Sequence, residues 1–221
     1  MPSGGQAIAC EEAMLKLFYT PHTSALATHI VLEEVGATYE IALIDFEKNE
    51  QRSPEYLKIN PRGRVPSLVT NSGVLTETPA LLVYLAQLFP QSRLAPIDDP
   101  YLFAELQSFN SFICSNLHVA HSHRMRGHRW ADEPAAIEAM KRKVPQTVKV
   151  AFEQVERHLL RGPWVLGEQY TVSDAYLFTM AQWMEADGVD PSSFPKVLDH
   201  RNRMSLRPAV RNALRQELGD Q

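Results

Sequence analysis

Three short stretches carry side chains whose types and order could do chemistry. Tyr19-Thr20-Pro21-His22-Thr23-Ser24-Ala25 brings an apolar run to a loop that opens a helix. Thr23 and Ser24 are good N-cap residues. The same hydroxyls, beside free N–H groups at a positive helix end, also suit an anion, a thiolate included. Arg62-Gly63-Arg64-Val65-Pro66-Ser67 puts a proline at the head of an expected strand, where its missing donor must not be needed. That is an ordinary strand-entry proline if the bond is trans. A cis bond would turn the Val65 N–H and C=O outward to pair with an extended peptide. In Thr76-Glu77-Thr78-Pro79-Ala80, Thr78 fits an N-cap and Pro79 the first helical position. Glu77 and the hydroxyl beside it also offer partners for an ammonium and a carboxylate, the two ends of an α-amino acid. Each stretch alone has a bland structural reading. In this order and spacing they point to one peptide-like, thiol-bearing ligand.

The elements that must hold these residues follow from periodicity. Met14 to Tyr19 reads as a buried strand, and Ser24 to Val35 as a helix stopped by Gly36. Tyr39 to Asp45 reads as a second strand, and Glu55 to Ile59 as a turn or two of helix. Val65 to Val69 and Val74 to Leu75 read as strands joined at Asn71-Ser72-Gly73, and Pro79 to Phe89 as an apolar helix. The first half is therefore an α/β layer on a mixed sheet. Pro90 to Pro100, with three prolines and two adjacent acids, is the linker candidate. Beyond it the pattern is all-α. Tyr101 to Arg129 and Pro134 to Leu160 are long helical patterns, and Pro145 is expected to kink or split the second near Val144. Thr171-Val172-Ser173-Asp174 resembles a capping box with Asp in the acidic place, and Arg207-Pro208 opens a last helix. The domains implied are residues 14–91 and 98–217, after a flexible N-terminal tail at 1–13.

Composition excludes several classes. The 221 residues carry a formal net charge of −4, no footprint for nucleic acid and no polybasic membrane anchor. No apolar run reaches bilayer-spanning length. Two cysteines, Cys10 in the tail and Cys114, make no disulfide framework and suit a reducing cytosol. His118, His121, His123 and His128 invite a metal reading. On one continuous helix, however, His128 would sit about 15 Å along the axis from His118, too far to share a metal with bonds of about 2 Å. No metal is expected. Phe112, Leu117, Met125 and Trp130 read as helix core ahead of a substrate pocket, and Trp183 and Met184 likewise as core.

Over nearly all of Met14 to Leu214 the chain resembles the cytosolic glutathione transferases, especially the bacterial beta type. The resemblance is carried by Lys16 to Pro21, Ile59 to Pro66, Thr76 to Ala80, Leu166 to Leu177 and Arg207 to Val210. It implies a thioredoxin-like N-terminal domain with a four-stranded mixed sheet and an all-helical C-terminal domain. It implies glutathione as co-substrate and a homodimer. Val65, ahead of a cis Pro66, would pair with the cysteinyl part of glutathione. Glu77 and Thr78 would hold the γ-glutamyl amino and carboxylate groups. Arg64 or Asn49 would touch the tripeptide, and Ser111, Ser115 and His118 would line the site from the first long helix.

The chain departs from the beta pattern where chemistry happens. Ser24 stands where that type has cysteine, Ala25 where it has serine, and Val119 where a lysine follows the histidine. A mixed disulfide with glutathione cannot form at Ser24. Ser24 is the first candidate to activate the thiol, then Thr23, which aligns with the serine of other transferases, then Tyr19, which sits where tyrosine-type enzymes place their phenol. The activity implied is attack of the glutathione thiolate on a small hydrophobic electrophile. Reductive dehalogenation, isomerisation and peroxide reduction use the same fold and site, and a glutathione-binding or interaction module without turnover is the alternative from another class.

Overall fold

The computed structural model describes residues 15–219. The expected tail at 1–13, with Cys10, and the strand start at Met14 lie outside the described residues. Strand β1 (Leu15–Tyr19) alternates buried and half-buried side chains. Leu15, Leu17 and Tyr19 therefore share the core face, while Phe18 turns to the other face and meets the Tyr56 ring at 5.5 Å. Helix α1 (Ala25–Glu34) follows, then β2 (Tyr39–Leu43) and α2 (Pro54–Ile59). Strands β3 (Ser67–Thr70) and β4 (Gly73–Thr76) lead into α3 (Thr78–Leu88). The sheet order is β2-β1-β3-β4. β1 and β2 are parallel, and β3 is antiparallel to β1 and to β4. This is the mixed sheet of a thioredoxin-like layer, as the sequence implies.

The second layer is helical: α4 (Pro100–Phe112), α5 (His118–Arg126), α6 (Pro134–Gln154), α7 (Val172–Ala181), α8 (Pro195–Ser205) and α9 (Pro208–Leu218). A π-helical step at Ile113–Leu117 joins α4 to α5 without a break. Pro145 does not split its helix. α6 runs through it from Pro134 to Gln154. Pro145 lies on the exposed side, where water can satisfy the Lys141 carbonyl that loses its bond. Its ring also seats against Gly188, where an added Cβ would stand 3.2 Å from Pro145 Cγ. Among the described residues no helix is long and apolar enough to cross a membrane.

The two layers are bolted through α1. Every residue from Ala25 to Leu32 is buried, because α3, α7 and α9 all pack on this helix. Buried His29 bonds Glu217 of α9 through Nδ1 at 2.9 Å and the Tyr39 hydroxyl through Nε2 at 3.0 Å. At the other end of α1, Arg207 grips Glu34 through paired nitrogens, one at 2.8 Å, and lies 3.8 Å over the Tyr170 ring. The proline-rich connection is held too. The Leu94 carbonyl accepts the Val172 N–H at 2.9 Å, and the Arg93 carbonyl accepts the Gln169 amide at 2.7 Å.

Helix α7 is buried over all ten residues, and a fully buried carboxylate starts it. Asp174 Oδ2 accepts the Thr171 N–H at 2.7 Å and closes the expected capping box. Asp174 Oδ1 accepts the Val165 N–H at 2.7 Å and lies 3.0 Å from His200 Nε2. A charge so enclosed persists only because each oxygen is bonded. Replacing Asp174 with Ala should lower the unfolding free energy by about 3–5 kcal/mol, read by urea denaturation. A loss below about 1 kcal/mol would mean the hub is dispensable.

Candidate active site

A cavity of about 540 Å³ opens between the layers, with the N-termini of α1 and α3 on one side and α5 on the other. Nine of the twelve residues singled out from sequence line it: Thr23, Ser24, Asn49, Arg64, Val65, Pro66, Glu77, Thr78 and His118. Tyr19, Ser111 and Ser115 do not. Tyr19 ends β1 on the core face, 7% exposed, with its ring 6.1 Å from His29. Burial and then the nearby Glu217 carboxylate push its phenol pKa up, so it is a poor acid. The π-helical step turns Cys114 and His118 to the cavity and leaves Ser111 and Ser115 exposed.

At the start of α1 the two hydroxyls differ. Thr23 Oγ1 donates its proton to the Thr20 carbonyl at 2.7 Å and accepts the Ala25 N–H at 3.3 Å. Ser24 occupies the N-cap position, makes no side-chain capping bond and is 6% exposed. Its hydroxyl is the one with a proton to give. Val65 and Pro66 are joined by a cis peptide bond. The carbonyl before them, that of Arg64, is fixed by the Tyr56 hydroxyl at 2.7 Å and the Asn60 amide at 2.8 Å. The Val65 backbone itself, ahead of β3, makes no such bond among the described residues. Gly63 sets the bend, at φ +59, with the Gln51 carbonyl 2.6 Å from where a Cβ would be.

Glu77, not Thr78, is the N-cap of α3, one residue earlier than the sequence implies, and it takes φ 72. Arg62 pairs with its carboxylate from outside the cavity. The Glu77 carbonyl accepts the N–H groups of Ala80 and Leu81 at 3.0 and 3.1 Å, and the buried Thr78 hydroxyl faces the same space. Four non-glycine residues among those described have positive φ, and three of them, His22, Asn49 and Glu77, line this cavity. Such backbone persists only where its surroundings over-determine it.

The far wall was largely missed from sequence. Cys114, His121, Arg126, His128, Arg129, Trp130 and Trp183 all line the cavity, as do Arg52 and Tyr176 from other elements. His128 joins His118 because α5 ends at Arg126, whose φ of −130 breaks the rod before a short 3-10 turn at Gly127–Arg129. The core reading holds for Leu117 but not for Met125, which is exposed, nor for Trp130. Trp183 is both buried and cavity-lining, stacked on His121 with ring centres 4.0 Å apart. Asp187 holds His121 through Nδ1 at 2.7 Å. Burial and then Glu77 push the Cys114 thiol up, so it stays protonated at neutral pH. The sequence signal for this wall was the run Arg124 to Trp130, four basic or imidazole side chains with a tryptophan in an acidic chain.

Burial, His121 and the arginines at 126, 129 and 64 push His118 down to about 3. A base whose folded pKa lies below the unfolded 6.5 contributes full stability above that pH and loses it as pH falls toward 3. The expected slope is at most about 1.4 kcal/mol per pH unit. The His118 ring should show no NMR titration between pH about 7 and 5, and a midpoint near the ordinary value of about 6.5 would contradict this environment. Gly63→Ala should cost about 1–2 kcal/mol for the left-handed backbone alone, before the clash with Gln51. Unchanged thermal stability would show that the bend is not needed.

The residues at 13–87 match the family model for the glutathione S-transferase N-terminal domain, and those at 134–212 match the C-terminal domain. Glutathione S-transferase GstA of Escherichia coli O157:H7 is 31% identical, over 92% of this chain and 98% of its own. The structure of a glutathione transferase homologue from Sulfitobacter with bound glutathione is 41% identical, with a TM-score of 0.90 over 92% of this chain and 98% of its own. A sphingomonad glutathione S-transferase complexed with glutathione is 32% identical at a TM-score of 0.81, over 91% and 98%. Two matched domains, that identity over nearly the whole chain and the shared fold place this protein in the glutathione S-transferase family.

Proposed function

We propose that the chain is a glutathione transferase that binds glutathione along the 63–66 loop and α3 N-terminus and activates its thiol at Ser24. The observation that carries this is the unengaged Ser24 hydroxyl at the start of α1, in one cavity with Val65, Glu77 and Thr78. Glutathione binding in relatives of the same fold supports it. In this reading the Val65 backbone pairs with the cysteinyl residue, Glu77 takes the ammonium and Thr78 the α-carboxylate. Arg64 and Asn49 flank the tripeptide. A homodimer in the cytosol completes the picture, as an expectation from the family.

The energetics are modest. Lowering a thiol pKa of about 8.5 by two units takes roughly 2.7 kcal/mol. A hydroxyl donating to the thiolate supplies about 1.5–3 kcal/mol, and the α1 N-terminus about 0.3–1 kcal/mol. No general base is needed. The thiolate then attacks an electrophilic carbon held against the α5 wall. His121 favours a second reading, glutathione-dependent isomerisation. Its Nδ1 is bonded to Asp187, and the residue lines the cavity beside His118.

Calorimetry and steady-state rates test the assignment. Ser24→Ala should keep the glutathione Kd within a few-fold and lower kcat/KM at neutral pH by about 10–100-fold. Glu77→Gln should weaken glutathione binding by about tenfold. If Thr23→Ala alone abolishes the rate, the hydroxyl is misassigned. No heat with millimolar glutathione would end the reading.

A further inference from the structure

The chain as a whole is mildly acidic, yet its cavity is not. Arg52, Arg64, Arg126 and Arg129 all line it, and none has a carboxylate partner among the described residues. Among the described residues the one carboxylate on the wall is Glu77, itself shared with Arg62 from outside. Four positive charges and one negative leave the wall at +3, against −4 for the chain. Arg126 and Arg129 come from the turn after α5, Arg64 from the loop before β3, and Arg52 from the stretch before α2. Different elements thus bring like charges together at one place, which costs free energy unless an anion is bound there.

The mutual repulsion registers on the groups themselves. Burial, then Arg126, Arg64 and Arg52, push the Arg129 guanidinium down to about 10. Burial and Arg64 push Arg126 down as well.

Glutathione does not neutralise this wall. With its sulfur ionised it carries two carboxylates, a thiolate and one ammonium, a net charge of −2 by its chemistry. Set against +3, it leaves one positive charge over in the cavity. Trp130, adjacent to Arg129 and half exposed, gives that space an aromatic side.

We propose that the second substrate is itself an anion, a small aromatic or unsaturated electrophile bearing a carboxylate, which Arg126 and Arg129 hold while its ring lies toward Trp130. The inference rests on the glutathione reading above and adds the class of the electrophile. For a halogenated aromatic acid the step is a substitution. The thiolate lone pair forms the C–S bond, the halide leaves with the electron pair of the carbon–halogen bond, and the thiol proton has already gone to solvent. No oxidant or reductant is required.

The test compares a chlorodinitrobenzoate with its methyl ester, two electrophiles of one shape and different charge. Full-length protein is assayed for kcat/KM with each, divided by that electrophile's uncatalysed rate with glutathione, and calorimetry measures the Kd of the two glutathione conjugates, so charge preference is read even if turnover is slow. The acid, and its conjugate, should be preferred by about tenfold or more, with a preference that falls as salt rises. Arg126→Gln with Arg129→Gln should erase most of that preference, weakening the acid conjugate about tenfold more than the ester conjugate. Equal handling of acid and ester by the wild type would overturn the proposal, and so would variants that weaken both conjugates and glutathione alike, since the arginines would then serve the tripeptide. A protein that binds glutathione and fails the charge comparison defeats this proposal alone. One that binds neither glutathione nor either conjugate defeats the reading beneath it.

Discussion

The site exists because one helix is covered on every side. α1 follows β1 and is enclosed by α3, α7 and α9, and the residue before its first turn, Ser24, lines the cavity. The enclosure is apolar along most of its length; of the two polar residues buried mid-helix, Thr28 and His29, the second is answered at both nitrogens by Glu217 and Tyr39. A helix that cannot shift holds Ser24 in one place. Its eight buried residues explain why the sequence shows little amphipathic stripe there: a helix with no wet face needs none.

The cavity divides its work between two kinds of group. The side facing α1 and α3 is mostly backbone and short polar side chains, fixed by turn geometry: Gly63 at φ +59, the cis Val65-Pro66 bond, Glu77 at φ 72. The opposite side is long side chains from α5 and the turn beyond it. The first kind suits one ligand of constant shape. The second kind rests on the identity of long side chains more than on turn geometry.

The first side was legible from sequence and the second was not, for physical reasons. Proline, glycine and the N-cap residues constrain backbone locally, so the features around Ser24, Val65 and Glu77 could be read within a few residues of each. Asp174 was legible on the same grounds, since a capping box is local. Tyr19's place was legible too: the period of two that puts Leu15 and Leu17 on the core face puts Tyr19 there as well. Ser111, Ser115 and His128 needed tertiary knowledge. A π-helical step and a broken helix end redirect their neighbours, and nothing in 3.6-residue periodicity announces either. The split offered at Pro145 does not occur, because its cost depends on whether the freed carbonyl is wet, a property of the surface and not of the proline.

The pinned connection between the layers has a further consequence. Leu94 and Ala95 are buried, and the carbonyls of Arg93 and Leu94 are tied to the segment that opens α7. Such a strap cannot act as a hinge. The halves have no separate lives: cut apart, each would expose the faces that α1 now joins, and heat or urea should dissolve both in a single cooperative event.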